Sequence, residues 1–226
     1  MVCTLILGVA CLLTGNTRWA IVAIMATAAL GVMARSFSRQ APGPMPHTFR
    51  WVLFLPRGPH APRHLRRILE PQAGERILEI GPGVGIHTIP MAAALVPGGT
   101  LEAMDAQAEM LANLERRAAR AGVTNVVATQ GNAQHLPYPD RSFDAAYLVG
   151  VLGEVPDGDA ALCELHRVLK PEGRLIVGEM VLDPDYVTLS ALTRSAANAG
   201  FVFDRRQGPT AAYFARFVPG GRSQEP

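Results

Sequence analysis

The sequence predicts an α/β fold: a doubly wound, mostly parallel sheet of seven strands with a C-terminal β-hairpin, preceded by an apolar N-terminal segment. Three observations carry that expectation. Strand-like and helix-like segments alternate regularly from residue 60 onward, the pattern of a parallel sheet covered on both faces. A glycine turn, "GPGVG" (81–85), follows the first strand-like run, "RILEI", where doubly wound sheets bind their ligands. Finally, "FVFDRRQ" and "AAYFARFVP" are β-rich runs separated only by "GPT", which reads as a hairpin.

Each element has its own signal. "PRHLRRILE" places Leu65, Ile68 and Leu69 on one face of a short helix that Pro71 and "QAG" end. A strand follows at 76–80, then the glycine turn, then the helix "HTIPMAAALV" stopped by "PGG". The strand "TLEAMD" (100–105) leads into "AEMLANLERRAARAG", whose Leu111, Leu114 and Ala118 recur at helical spacing and which stops at Gly122. Next come the strand "NVVATQG", the loop "NAQHLPYPDRS", and the strand "FDAAYLVG". A helix over 157–169 ends in "KPEG", which opens the strand "RLIVGEMVL", and a helix over 187–199 runs into Gly200 before the hairpin.

At 226 residues the chain has room for one ordinary domain and an appendage, not for two full domains. Its net charge of +2 is unevenly spread, since residues 1–69 hold eight arginines and no acidic residue while 70–226 hold 13 basic against 19 acidic side chains. A portion carrying −6 repels phosphates, which disfavours nucleic acid as a partner. Residues 1–13 and 19–33 are two uncharged apolar runs, and the longer, of fifteen residues, spans only roughly 22 Å as a helix. The expectation is therefore a membrane-anchoring segment over 1–38, either a short hairpin turning at Gly15-Asn16 or one tilted or interfacial helix. A cleaved signal peptide and a buried soluble helix are the alternatives. Arg35, Arg39, Arg50 and Arg57 follow the second run, and their position predicts that the domain after them is membrane-associated on the cytoplasmic side. Residues 39–59 read as a Pro-rich linker, "RQAPGPMPH", and an aromatic and basic segment suited to a membrane lipid surface or to packing as a lid. The α/β domain occupies 60–226. Cys3, Cys11 and Cys163 show no metal-ligand spacing, so no zinc site or disulfide framework is expected.

Without side chains at Gly81, Gly83 and Gly85 the backbone can turn tightly and approach a bound molecule. The i, i+2, i+4 spacing is not the dinucleotide fingerprint, which needs glycine where Ile86 stands, and no lysine follows to serve a phosphate loop. No tyrosine has a lysine four residues on, a second argument against a nicotinamide oxidoreductase. Asp105, closing the next strand, can accept hydrogen bonds from both hydroxyls of a ribose. The ligand expected is a nucleoside with its non-nucleoside end over the glycine turn.

Four stretches in order, "LEIGPGVG", "LEAMDAQAEML", "GNAQHLPYPDRSFDAAYLVGVLGEV" and "ELHRVLKPEGRLIV", resemble the class I S-adenosylmethionine-dependent methyltransferases across roughly residues 60–220, closest to the quinone-biosynthesis and phospholipid methyltransferase branches. The resemblance implies a Rossmann-like methyltransferase fold for residues 60–226 and S-adenosyl-L-methionine as cofactor. It implies that Glu79, Gly81, Gly83 and Gly85 surround the methionine part and that Asp105 holds the ribose. Ala106 and Met110 would border the adenine, Asn132 and Ala133 would read its edge, and Leu148 and Val149 would complete the pocket. Asn132 stands where the family usually has Asp, so any contact it makes to the adenine amine is uncharged.

The methyl group of a sulfonium is intrinsically electrophilic, so such an enzyme works mainly by aligning a nucleophile with it. A general base is needed only when the acceptor arrives protonated. Glu154, in "VLGEV", is the expected substrate-facing acid, with His135 and Tyr138 as further candidates to line the acceptor pocket. A basic, aromatic, apolar arm beside the domain points to a lipophilic acceptor, a lipid headgroup amine or a quinone-type ring. The alternatives are a soluble small-molecule acceptor, or a non-catalytic cofactor-binding module, which "VLGEV" in place of the family's usual histidines would favour. Oligomeric state is not legible.

Overall fold

The computed structural model describes residues 21–23, 25, 26, 43 and 58–220, and the chain divides into two units, Met1–Pro42 and Gly43–Pro226. In the first unit the described residues 21–23, 25 and 26 are helical. In the second, a 3-10 turn at Gly58–His60 leads into α1 (Pro62–Leu69), β1 (Arg76–Ile80), α2 (Thr88–Ala94), β2 (Thr100–Asp105), α3 (Ala108–Arg120) and β3 (Val126–Gln130). Then follow β4 (Phe143–Val149), a 3-10 turn at Leu152–Glu154, α4 (Gly158–Val168), β5 (Leu169–Met180), α5 (Leu189–Asn198), β6 (Phe201–Gln207) and β7 (Ala212–Pro219).

The seven strands form one mixed sheet in the order β3-β2-β1-β4-β5-β7-β6. β1 to β5 are parallel, and β7 pairs antiparallel with both β5 and β6. The strand order reverses between β1 and β4, so the carboxyl ends of these two strands open a crevice between diverging connections. Side-chain alternation splits the core into two layers. Leu78, Ile80, Leu148 and Val177 face α4 and α5 through Leu162, Leu165, Leu192 and Ala196. Ile77, Leu101, Tyr147 and Ile176 face α1, α2 and α3 through Leu65, Met91 and Leu114. Full burial of each such aliphatic side chain contributes about 1.5–3 kcal/mol, which fixes the register that places the crevice.

Helix starts follow local chemistry. The Asp157 carboxylate accepts from the Ala160 N–H at 2.9 Å and opens α4, and the Thr188 hydroxyl does the same for Ala191 at 3.3 Å to open α5. The "KPEG" stretch, expected to open the strand, lies within β5 as an irregularity, because Phe143 pairs with Leu169 and pairing resumes only at Ala145 with Arg174.

The N-terminal part of the expectation is corrected. Among the described residues no helix is long and apolar enough to cross a membrane, so an anchoring segment over 1–38 is not supported. Each apolar run is shorter than the ~20 residues a bilayer crossing needs. Apart from residues 21–23, 25, 26, 43, 58 and 59, the expected anchor, linker and interfacial segment lie outside the described residues.

Candidate functional site

β1 delivers the chain to the crevice and the glycine turn then carries it over the edge. Gly81, Gly83 and Gly85 have φ of 67°, 55° and 80°, the left-handed region that side chains disfavour. The Gly81 N–H donates to the Met104 carbonyl at 2.8 Å, tying the turn to β2. On its other side the turn is fastened by the Arg117 guanidinium, which donates to the Val84 carbonyl.

Asp105 ends β2 at 9 % exposure. Its Oδ1 accepts from the Gln107 N–H at 2.9 Å and its Oδ2 from the Gly83 N–H at 3.4 Å. Burial pushes the Asp105 carboxyl up, and the backbone N–H groups of Gln107, Gly83 and Ala106 pull it back down. A carboxylate held this way keeps lone pairs that can accept from a ligand's hydroxyl groups.

Around these two features lies a half-open pocket. It brings together nine of the expected residues: Gly81, Gly83, Asp105, Ala106, Met110, Asn132, Ala133, Val149 and Glu154. Met110 and Ala133 are buried and form an apolar side. Asn132 orders its own loop, since its side-chain oxygen accepts from the Gln134 N–H at 2.9 Å and its carbonyl from the His135 N–H at 3.0 Å. Glu154 closes the Leu152–Glu154 turn on the opposite wall beside Val151, Val155 and Pro156.

Five expected residues do not line this pocket. Glu79 lies in the buried layer behind the turn at 3 % exposure, Gly85 packs toward Leu114 and Thr88, and Leu148 is core. His135 is exposed on the far side of the Asn132 bridge. Tyr138 stacks edge-on against Phe143 at 5.0 Å, with the Arg76 guanidinium 5.8 Å from its ring. Phe143 and Arg76 begin β4 and β1, so Tyr138 sits at the amino end of the strands, opposite the crevice.

Pocket residues that sequence reasoning missed include Gln107, Gly131, Gly150 and Val151. Gly150 had a usable signal, a glycine closing a strand-like run, and its φ is 65°. A second omission is Glu179 near the end of β5, 1 % exposed, with Oε2 accepting from the Val187 N–H at 3.1 Å and Oε1 buried without a hydrogen-bond partner. Burial pushes its carboxyl up to about 8, reinforced by the charges of Asp183, Asp185 and Glu154.

Among the described residues no group of three or more His, Cys, Asp and Glu side chains is arranged to hold a metal ion. Comparison with known proteins agrees with this geometry. Residues 78–177 match the family model described as a methyltransferase domain. The chain is 37 % identical over 117 residues to demethylmenaquinone methyltransferase of Geobacillus stearothermophilus, covering 49 % of this chain and 50 % of that protein. It is 37 % identical over 109 residues to the ubiquinone/menaquinone biosynthesis C-methyltransferase UbiE of Saccharophagus degradans, covering 48 % and 44 %. The chain thus spans about half the length of the curated relatives it matches. Among solved structures, a SAM-dependent methyltransferase from Aquifex aeolicus superposes with a TM-score of 0.70 at 18 % identity over 77 % of this chain and 98 % of that one. The YcgJ protein from Bacillus subtilis superposes with a TM-score of 0.56 at 27 % identity over 66 % and 71 %.

Proposed function

We propose that this chain, a class I S-adenosylmethionine-dependent methyltransferase by its domain and fold, transfers a methyl group to a small lipophilic acceptor of the quinol type. One observation carries the reading: the glycine turn, Asp105 and Glu154 share one pocket at the point where the strand order reverses. Its residues fit the cofactor. Val151 packs so closely on Gly81 that only a bare backbone fits at the turn, Asp105 offers a carboxylate to the ribose hydroxyls, and Met110 and Ala133 give an apolar flank suited to the adenine. When bound, S-adenosylmethionine supplies an electrophilic methyl group.

The chain's own residues then orient and desolvate. Val149, Val151, Val155 and Pro156 form a low-dielectric wall on the acceptor side, and alignment of a nucleophile there can lower the barrier by about 7–11 kcal/mol. In this reading Glu154, which lines the pocket, takes the proton of an acceptor hydroxyl, which raises the electron density of the ring to be methylated. The similarity to demethylmenaquinone methyltransferases supports a quinol over a lipid amine. Such an acceptor resides in bilayers, so the reaction is proposed to take place at a membrane surface.

The test is incubation of the full chain with methyl-labelled S-adenosylmethionine and three acceptor sets: a short-chain demethylated naphthoquinol in vesicles, an aminophospholipid in vesicles, and soluble phenols and amines. Label on the quinol ring is the expected result, identified by mass. Label confined to the aminophospholipid or to the soluble set would replace the acceptor assignment, and cofactor binding without any labelled product would point to a non-catalytic module.

A further inference from the structure

α1 carries charge of one sign only. Arg63, Arg66 and Arg67 are exposed on it, Leu65, Ile68 and Leu69 are buried, and it holds no acidic residue. Among the described residues no hydrogen bond or ion pair engages the three guanidinium groups. The nearest carboxylates in sequence are taken by other partners: Glu70 by Arg205 and Arg216 at 2.8 Å each, and Glu75 by Arg174 at 2.7 Å. α3 also bears three arginines, but Glu109 and Glu115 share that helix with them. No acidic residue precedes Glu70, whereas residues 70–226 carry 13 basic against 19 acidic side chains. A cationic face on an otherwise net-acidic domain gives the molecule a polar axis that an anionic surface aligns.

The start of α1 stands at the edge of the sheet where the crevice opens. The turn before it brings the His60 ring to the Tyr213 carbonyl at 3.3 Å, and the His60 carbonyl meets Nε2 of His87 at 2.9 Å. His87 lies two residues past Gly85 of the glycine turn, and Tyr213 pairs with Glu179 near the carboxyl end of β5.

We propose that the Arg63, Arg66 and Arg67 face of α1 is the surface by which this domain docks on an anionic lipid bilayer, bringing the crevice edge to the membrane that holds the acceptor. The inference rests on the lipophilic acceptor proposed above, which favours a lipid surface over an acidic protein. The chemistry is complementary: a guanidinium forks onto a phosphate with two parallel N–H bonds, and it gives up its hydration more readily than an ammonium. Each such side chain near an anionic leaflet strengthens partitioning about fivefold, so the three together contribute roughly 100-fold. The attraction reaches only about 8 Å at 0.15 M salt, so it acts on groups at the surface and weakens as salt is added.

Co-sedimentation of the full chain with vesicles tests it, using phosphatidylcholine alone and phosphatidylcholine mixed with phosphatidylglycerol. Expected is stronger partitioning onto the mixed vesicles, weakening as salt rises from about 50 to 300 mM; this series needs no variant. The triple variant Arg63→Gln/Arg66→Gln/Arg67→Gln should lose roughly 30- to 100-fold on the mixed vesicles and little on the neutral ones. Arg116→Gln/Arg120→Gln/Arg194→Gln removes the same charge from exposed positions elsewhere and should lose less than about threefold. Equal losses in the two variants would assign the effect to net charge and overturn the proposal. So would salt-independent binding, or an undiminished α1 variant, which would leave the face to an acidic protein or to solvent. Methyl transfer to a soluble short-chain quinol should be equal in the unmodified chain and the α1 variant. Its absence from both would strike at the acceptor reading, while the vesicle result judges the docking surface by itself.

Discussion

Gly81 and Val151 face each other across the floor of the pocket so closely that a Cβ on Gly81 would lie 2.9 Å from one Val151 methyl and nearer still to the other. The contact joins the β1 turn to the β4 connection, the two segments that diverge at the strand-order reversal. Gly81→Ala is expected to weaken S-adenosylmethionine binding by at least about tenfold, because the left-handed backbone alone costs roughly 1–2 kcal/mol and the overlap adds to it. Adding Val151→Ala should restore only part of the loss, since it relieves the overlap and leaves the φ of 67° unchanged. Calorimetric affinities of the single and double variants decide it. Full restoration would mean that the backbone conformation is not the constraint.

Asp105 makes a separate prediction. Its carboxylate binds the backbone N–H groups of Gln107 and Gly83, so Asp105→Ala removes the proposed ribose acceptor and orphans two donors at once. Hydrogen bonds to a charged group contribute about 1.5–3 kcal/mol, so affinity should fall roughly 10- to 100-fold. Asp105→Asn keeps an oxygen for the backbone and should fall less. Equal affinity of the Ala variant and the unmodified chain would remove Asp105 from the site.

The contrast between Asp105 and Tyr138 shows what the sequence could convey. A strand's last residue and a glycine turn keep their place in any parallel sheet, so Gly81, Gly83, Asp105 and Val149 were legible as one crevice. The 131–142 loop was not. It leaves β3 at the carboxyl edge and must reach the amino end of the parallel β4, so neighbours in sequence part company along it. Asn132 stays in the pocket, while Arg167 of α4 takes the carbonyls of Leu136 and Tyr138, at 3.0 and 2.8 Å, and fastens the rest at the opposite edge. Glu179 was hidden for another reason. A carboxylate in "VGEM" reads as a solvated strand end, whereas in the fold the chain returns at Val187, from whose N–H it accepts, and β7 pairs Tyr213 beside it.

Arg174 on β5 predicts a stability effect remote from the pocket. Two of its guanidinium nitrogens bind the Glu75 carboxylate at 2.7 and 2.8 Å, and the side chain also donates to the carbonyls of Leu69 and Glu70 at the end of α1. It thus satisfies helix-end acceptors that would otherwise be orphaned. Arg174→Ala should lower the unfolding free energy by about 3–5 kcal/mol, the usual effect of removing one partner from a buried pair. Urea denaturation measures it. A loss below about 1 kcal/mol would class the pair with exposed salt bridges.

Glu179 gives the pH dependence of stability its expected sign. Its carboxyl has an ordinary value of 4.5 and is pushed to about 8 in the fold, first by burial and then by the charges of Asp183, Asp185 and Glu154. Tyr213, whose hydroxyl donates to the Val187 carbonyl at 2.8 Å, closes the same space and is itself pushed up by burial. Between pH 4.5 and 8 the folded chain keeps a proton on Glu179 that the unfolded chain has lost. Folding then binds protons, so this residue's contribution to stability declines as pH rises through that window and levels off above it. The slope it adds can approach about 1.4 kcal/mol per pH unit. Glu179→Gln keeps the shape and the acceptor for the Val187 N–H but cannot ionise. Its stability should fall less steeply than that of the unmodified chain from pH 6 to pH 8, leaving the variant the more stable protein at pH 8.5. Parallel urea denaturation curves of the two proteins across that range test the point, and coincident slopes would show that Glu179 is already ionised in the fold at neutral pH.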